Sequence, residues 1–282
     1  MADCDWTRGA VCSALRARCA VIRYLRLFGY FLRFSFSRAM EFRLDFFFRI
    51  AMDVCFYVVN LLFFDVVYRH TETLGGWGLD QVYVFVAGFL LVDAISMTLF
   101  SNNLWLLSTY VNRGDLDYHL VRPVSPLFMV SLRDFAANSF MNLLIACGVM
   151  IWAIGRYPGE LSWYGTVLFV LLLFNGAYLR YLVRMMTIIP VFWLHSTRGM
   201  EIVFFHMAQF VGRPDRIFVG VTRVLLTTIL PFSLMVSFPA RIFLQGFNAL
   251  LLLWVLGVTL VFTFIVFGSW RAGLRVYSSA SS

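Results

Sequence analysis

The sequence predicts an all-α membrane protein: six transmembrane helices, an N-terminal interfacial amphipathic helix, and re-entrant helices between spans five and six. Three observations carry this expectation. Only 13% of the 282 residues are charged and 61% are hydrophobic, about half the charge with which a soluble domain coats itself. The apolar runs are long and continuous, as in Val167–Phe174 and Ala249–Phe267, whereas a membrane barrel alternates in segments of about ten residues. Backbone in hydrocarbon must pair within its own segment, which helices do.

Each element follows in order. Residues 1–14 are small and polar and are expected to be disordered. Over 15–42, at about 100° per residue, Arg16, Arg23, Arg26, Arg33 and Arg38 share one arc. Phe28, Phe31, Leu32 and Phe36 mostly occupy the rest. That pattern suits a helix in the headgroup layer, so 15–45 is read as interfacial and 46–282 as the six-helix domain. The first apolar stretch has no small-residue cleavage pattern, which points to insertion by the first span with the N-terminus cytoplasmic.

Span one is expected from about Phe46 to Tyr68. Asp45, Arg49 and Asp53 stand at i, i+4 and i+8 and can pair along one face. Span two runs from about Gln81 to Leu107 and carries Asp93. Residues 108–132 form a longer polar loop. Span three covers roughly Phe135–Ile154. Span four runs from near Trp163 to about Pro190, with Arg180 and Arg184 in its second half. Span five is short and ends near Gly212. Residues 213–246 hold apolar pieces broken by Pro231 and Pro239, each shorter than the roughly 20 residues of a crossing. Paired short helices that dip in and return fit that punctuation. Span six is expected from about Phe247 to Phe267.

The arginines test this topology. With both termini cytoplasmic, 17 of the 23 lie inside and six outside, as the positive-inside rule requires. Four of the outer six fall in 213–246; were that stretch a full span, the C-terminus would lie outside. The net charge of +8 flanks apolar segments, so it points to anionic headgroups and not to nucleic acid. All 23 basic residues are arginine. The phosphate-binding loop G-x-x-x-x-G-K-[ST] needs a lysine, so any ATP must be hydrolysed by a partner.

No enzyme constellation is present: neither H-E-x-x-H nor G-x-S-x-G occurs, and no catalytic residue is assigned. The spacings of His195, Glu201 and His206 do not share a helical face, so no metal site is expected. His70 and His119 are read as solvated loop residues. Cys4, Cys12, Cys19, Cys55 and Cys147 show no C-x-x-C spacing and are read as free thiols. Asp53, Asp93, Arg180 and Arg184 are candidates for a translocation path, because charges at membrane depth must face protein or water. Pairing of the arginines with acids such as Asp93, or anchoring of the span, stands beside a role in binding substrate. In the 112–123 loop, Leu116, Tyr118 and Leu120 interleave with charges. One or two helical turns there would dock apolar residues into a partner's groove; a plain solvated loop is the alternative.

Several stretches, in order and spacing, resemble the permease subunits of bacterial type-two ABC exporters. They are Arg43-Leu44-Asp45-Phe46, then Gly114-Asp115-Leu116-Asp117 through Leu120 with Arg122-Pro123, then Phe192-Trp193. Arg213-Pro214 leading to Arg223, Leu230-Pro231-Phe232, Phe238-Pro239-Ala240 and the closing Gly273-Leu274-Arg275-Val276-Tyr277-Ser278-Ser279-Ala280 complete the likeness. One departure is Arg213, where that branch usually has an aromatic residue. The resemblance implies that 15–45 is a connecting helix. It implies that Arg113, Gly114, Asp115, Leu116, Asp117, Tyr118, Leu120, Arg122 and Pro123 form the coupling element on a dimeric ABC ATPase. It implies that Pro231 and Pro239 mark an outer re-entrant gate. ATP and Mg would belong to the ATPase, with no cofactor in this chain. A second permease chain, identical or sister, would complete the path in the bacterial cytoplasmic (inner) membrane, in contact with lipid. The aromatic-rich spans suit an amphipathic or hydrophobic substrate: a lipid, a glycolipid or a drug-like molecule. A membrane-embedded lipid-modifying enzyme and a non-transporting scaffold are the alternatives.

Overall fold

A computed structural model describes residues 6–39, 43–159 and 162–278. The described residues form helices and connecting turns, with one isolated bridge between Leu74 and Trp77. The first helix, α1, spans Trp6–Ala39. It therefore starts well before residue 15, correcting the expectation of disorder for 6–14; that segment has no proline, and a helix once nucleated propagates through it. The side chain of Arg16 lies outside the described residues, as do Met1–Asp5.

The aromatic face of α1 packs on the chain itself. Tyr24 meets Phe128 at 4.8 Å, Phe28 meets Phe135 at 4.9 Å and Phe36 meets Phe140 at 5.5 Å, all edge-on. Such pairs contribute about 0.5–1.5 kcal/mol each beyond their burial. Arg38 reaches Asp134 at 3.1 Å, and the Ser35 hydroxyl accepts the Phe135 N–H. The face expected to lie in the acyl boundary is thus largely a docking surface.

Helix α2 spans Arg43–Tyr68; the side chains of Arg43 and Asp45 are outside the described residues. Then come α3 (Leu79–Ser96), a π-helical turn (Met97–Ser101) and α4 (Asn102–Arg113). These form one candidate span, Leu79–Arg113, of 35 residues. It outruns the expected Leu107 because neither glycine nor proline occurs between Leu107 and Gly114, whose φ of +80° ends α4 in the left-handed region. Helix α3 is apolar on every side and is buried almost without break from Val82 to Ser96. It is the centre of the core.

Short helices α5 (Asp117–Leu120) and α6 (Pro126–Leu132) follow, then α7 (Ala137–Arg156) and α8 (Trp163–Ile188). After α9 (Val191–Leu194) comes α10 (Arg198–Ala208), prolonged by a 3-10 turn, Gln209–Gly212. The chain closes with α11 (Gly220–Thr227), α12 (Phe232–Gln245) and α13 (Ala249–Val276). Among the described residues, five helical stretches are long and apolar enough to cross a membrane, while α11 and α12 qualify only as a pair bent by 89°.

The short α10 still traverses the bundle. Thr197, just before it, lies 3.0 Å from Ser108 of α4, whereas Gly212 after it packs on Phe89 of α3. Those two levels are roughly 28 Å apart along the α3–α4 span. The 213–246 stretch begins and ends on one side, because Arg216 donates to Gln245 at 3.2 Å. Its two ends therefore lie together. Asp215, fully buried, holds it together: Arg241 reaches its carboxylate at 3.1 Å, Arg223 at 3.5 Å, and its own N–H goes to Ser237. Helix α13 then runs back to the end where the α4–α5 loop lies, placing Tyr277 against Phe192.

Pro231 does separate the two short helices. Pro239 does not break anything; it lies inside α12. Having no N–H, it leaves the Met235 carbonyl one turn earlier without its helical partner. That carbonyl abuts Gly176 of α8, where an added Cβ would collide with it. Gly176→Ala should therefore destabilise the fold by about 1–3 kcal/mol through overpacking. Gly257→Ala, with open space around it, is the control: thermal unfolding in detergent should show a lower midpoint for the first variant alone.

Candidate functional site

Between α2, the π-turn region, α8 and α10 lies a cavity of about 920 Å³. All four intramembrane polar residues singled out by sequence, Asp53, Asp93, Arg180 and Arg184, line it. They come from three helices and meet because each is shut out of the lipid face. Asp93 and Arg180 form an ion pair at 2.6 Å, both largely buried. One helical turn on, Arg184 donates to the Ser101 hydroxyl at 3.1 Å. Ser101 closes the π-turn, a feature that often marks functional positions. Asp53 accepts a hydrogen bond from Asn142 of α7. A smaller cavity of about 320 Å³ adjoins, sharing Asp53 and Ser101 and reaching Arg49 and Ser139.

Much of the rest of the wall is aromatic, with Phe56, Phe63, Phe89, Phe204 and Phe205, while Asn60, Glu201 and Gln209 add polar positions. Phe56, Phe63 and Phe205 remain substantially exposed, so the cavity opens sideways between α2 and α10. Arg213 also lines it, stacked 4.6 Å over Phe63. This is where the departure from the aromatic residue falls: the guanidinium takes up an aromatic neighbour from α2.

The 112–123 element is ordered. Arg113 and Gly114 end α4, and a tight turn through Asp115 and Leu116 leads into α5. Leu116, expected to dock into a partner, is instead fully buried in this chain. His119, expected to be solvated, is buried too, with its ring 5.1 Å from that of Tyr110. Period explains both: in so short a helix, positions 116 and 119 face inward together. Tyr118, Leu120 and Val121 face outward, with Val121 85% exposed. Arg122 and Pro123 are exposed, and Arg23 of α1 donates to the Pro123 carbonyl at 2.9 Å. Tyr277 closes the other flank, its phenol pushed up to about 12 by burial and by the Asp117 carboxylate beside it.

A family model described as ABC-2 family transporter protein matches residues 54–281. The chain belongs to the ABC-2 transporter family. No curated protein and no solved structure matches it. As an ABC-2 family member it is a multi-pass membrane component of an ABC transporter, and the permease bundle described above is its transmembrane body.

Within this ABC-2 permease, several contributors escaped sequence reading. Asn103 grips the Asp134 backbone twice, donating to its carbonyl and accepting its N–H, both at 2.7 Å. Thr98 donates to the Ser139 carbonyl at 3.0 Å. Asn102-Asn103 inside an apolar run was the available signal. The Asp215 cluster was signalled by one acid among four arginines.

Two outcomes are expected. Removing one member of the buried pair, as in Asp93→Leu or Arg180→Leu, should cost about 3–5 kcal/mol, whereas the double replacement should cost much less; thermal unfolding of the three variants measures this. In the 112–123 segment, burial first and then Arg133 and Arg122 hold the His119 imidazole below its ordinary value. The undocked form therefore gains its proton first as pH falls. Docking of α5 should be undiminished above about pH 6.5 and weaken progressively below it. Hydrogen exchange over 114–124 should report this loss, and His119→Phe should abolish it.

Proposed function

We propose that this ABC-2 permease is the membrane-spanning subunit of an ATP-driven exporter in the bacterial cytoplasmic membrane. Both termini and the 113–123 element face the cytoplasm, and the re-entrant pair with Pro231 faces outward. A dimeric ABC ATPase, holding ATP and Mg, docks on α5. A second permease chain, identical or sister, faces this one across the cavity. Closure of the ATPase on ATP shifts α5, and with it α4 and α1, which opens the path. Amphipathic or hydrophobic substrate enters from the inner leaflet or cytoplasm. Asp53, Asp93, Arg180 and Arg184 belong to the path.

The observation that carries this reading is an outward apolar patch, Tyr118, Leu120 and Val121, on a helix anchored by buried Leu116 and His119. Such a patch amid charges suits recognition by a groove. A mild-detergent pull-down of the tagged chain should bring down a stoichiometric ABC ATPase with measurable ATPase activity. Tyr118→Asp with Val121→Asp should abolish transport-coupled hydrolysis while leaving the amount in the membrane unchanged. Purification free of any ATPase, or normal coupling in the double variant, would move the reading toward a lipid-modifying enzyme or a scaffold.

A further inference from the structure

The lining of the large cavity holds three carboxylates, Asp53, Asp93 and Glu201, and three guanidiniums, Arg180, Arg184 and Arg213, but they do not pair off one to one. Asp53 is engaged by Asn142, and Glu201 by Thr197 at 3.0 Å and Ser108 at 3.3 Å. Arg213 lies on Phe63. Asp93 is matched by one edge of Arg180. The guanidinium donors left without a carboxylate sit on α8. The Nη1 of Arg180 is buried with no hydrogen-bond partner. Arg184 has the neutral Ser101 hydroxyl as its partner, and among the described residues no carboxylate lies within ion-pair distance of it. Both line the cavity.

Arg184 lies four residues before the end of α8 and is only partly exposed. A guanidinium with unsatisfied donors in such a place is costly. Arg180 and Arg184 are one turn apart and present forked donors to the same volume. Forked donors fit the oxygens of phosphate, sulfate or carboxylate. A cation would meet donors and no acceptor between these two arginines, and an apolar ligand would leave the donors idle. The aromatic wall, Phe56 to Phe205, adds the second demand, because a bare oxyanion would leave it uncovered.

We infer that the cavity is a binding site for an anionic amphiphile. Arg180 and Arg184 hold an oxyanion head, and the apolar body lies along the aromatic wall toward the lateral opening between α2 and α10. This rests on the reading of the cavity as the translocation path and names the class of molecule that occupies it. A volume of about 920 Å³ is at the upper end of ordinary ligand pockets, as a head with part of a long tail requires.

The test is native mass spectrometry of the full chain with its co-purifying partners, released from detergent after incubation with equimolar phosphatidic acid and phosphatidylcholine. Wild type should retain the anionic lipid over the zwitterionic one by roughly tenfold or more, the worth of a charged hydrogen bond. Arg184→Gln should bring the ratio close to one. Arg184→Lys, which keeps the charge, should preserve most of the preference and shows that a loss in the first variant is not misfolding. Arg69→Gln, outside the cavity, should match wild type. Equal retention of both lipids by wild type, or an unchanged ratio in Arg184→Gln, overturns the inference. Inorganic phosphate is the separate arm: if it displaces phosphatidic acid at millimolar concentration, the site recognises the anion alone and the amphiphile is overturned. The measurement needs no ATP hydrolysis. Its failure leaves the ATPase-coupled reading intact, and absence of an ATPase from the pull-down leaves the lipid preference intact.

Discussion

Hydrocarbon cannot solvate a charge, and that constraint arranges most of this molecule. Asp93 sits near the middle of a 35-residue span and Arg180 eight residues before the end of α8, where neither could remain alone. Their pairing fixes the rotation of α8 against α3 and turns the polar side of both helices toward one cavity. Asp53 follows the same logic through Asn142. Asp215 does so at the far end, with two arginines converging on one buried carboxylate. In each case the partner comes from a different element, so satisfying the charge also sets the packing.

The end of the bundle at α5 is held differently. There order comes from many modest contacts. Arg23 holds Pro123, Arg38 holds Asp134, and Asn103 holds the Asp134 backbone. Asp134 thereby joins α1 to the base of α4. Thr98, in the π-turn above, reaches the Ser139 carbonyl. A continuous set of polar contacts thus runs from α1 to the π-turn whose Ser101 meets Arg184. Motion of α5 and α1 has a short physical route to the cavity wall, with no flexible linker between them.

The spans were legible because hydropathy and length are local properties. Span one, the two-helix punctuation at Pro231 and the returning path of 213–246 follow from them directly. The four cavity charges were legible for the same reason: a charge in an apolar run stands out. What they pair with was not, since Asp93 and Arg180 are brought together only by packing. Leu116 and His119 were misread because a loop of mixed residues carries no period long enough to tell inward from outward. Pro239 was misread as a break. Composition alone does not reveal that the carbonyl it frees is received by Gly176, which has no Cβ to obstruct it. The overlong α4 escaped because polar Ser108 and Asn112 mimic a loop, while Ser108 in fact pairs with Thr197.

The open side of the cavity completes the argument. Helices α2 and α10 expose Phe56, Phe63 and Phe205 on either flank, and neither packs closely on the other. In lipid such faces are tolerated, because acyl chains are as apolar as phenylalanine. The polar floor formed by Arg180, Arg184 and Asp93 is not tolerated by acyl chains alone. A groove with an apolar mouth and a charged floor is therefore matched by a molecule with the same two characters in the same order. It is equally a groove that a second bundle could roof without displacing such a molecule, because the floor belongs to α3 and α8 and the roof would rest on α2 and α10. The separation of charged floor from apolar flank, written into the sequence by where the arginines of α8 fall, would let one surface serve both contacts.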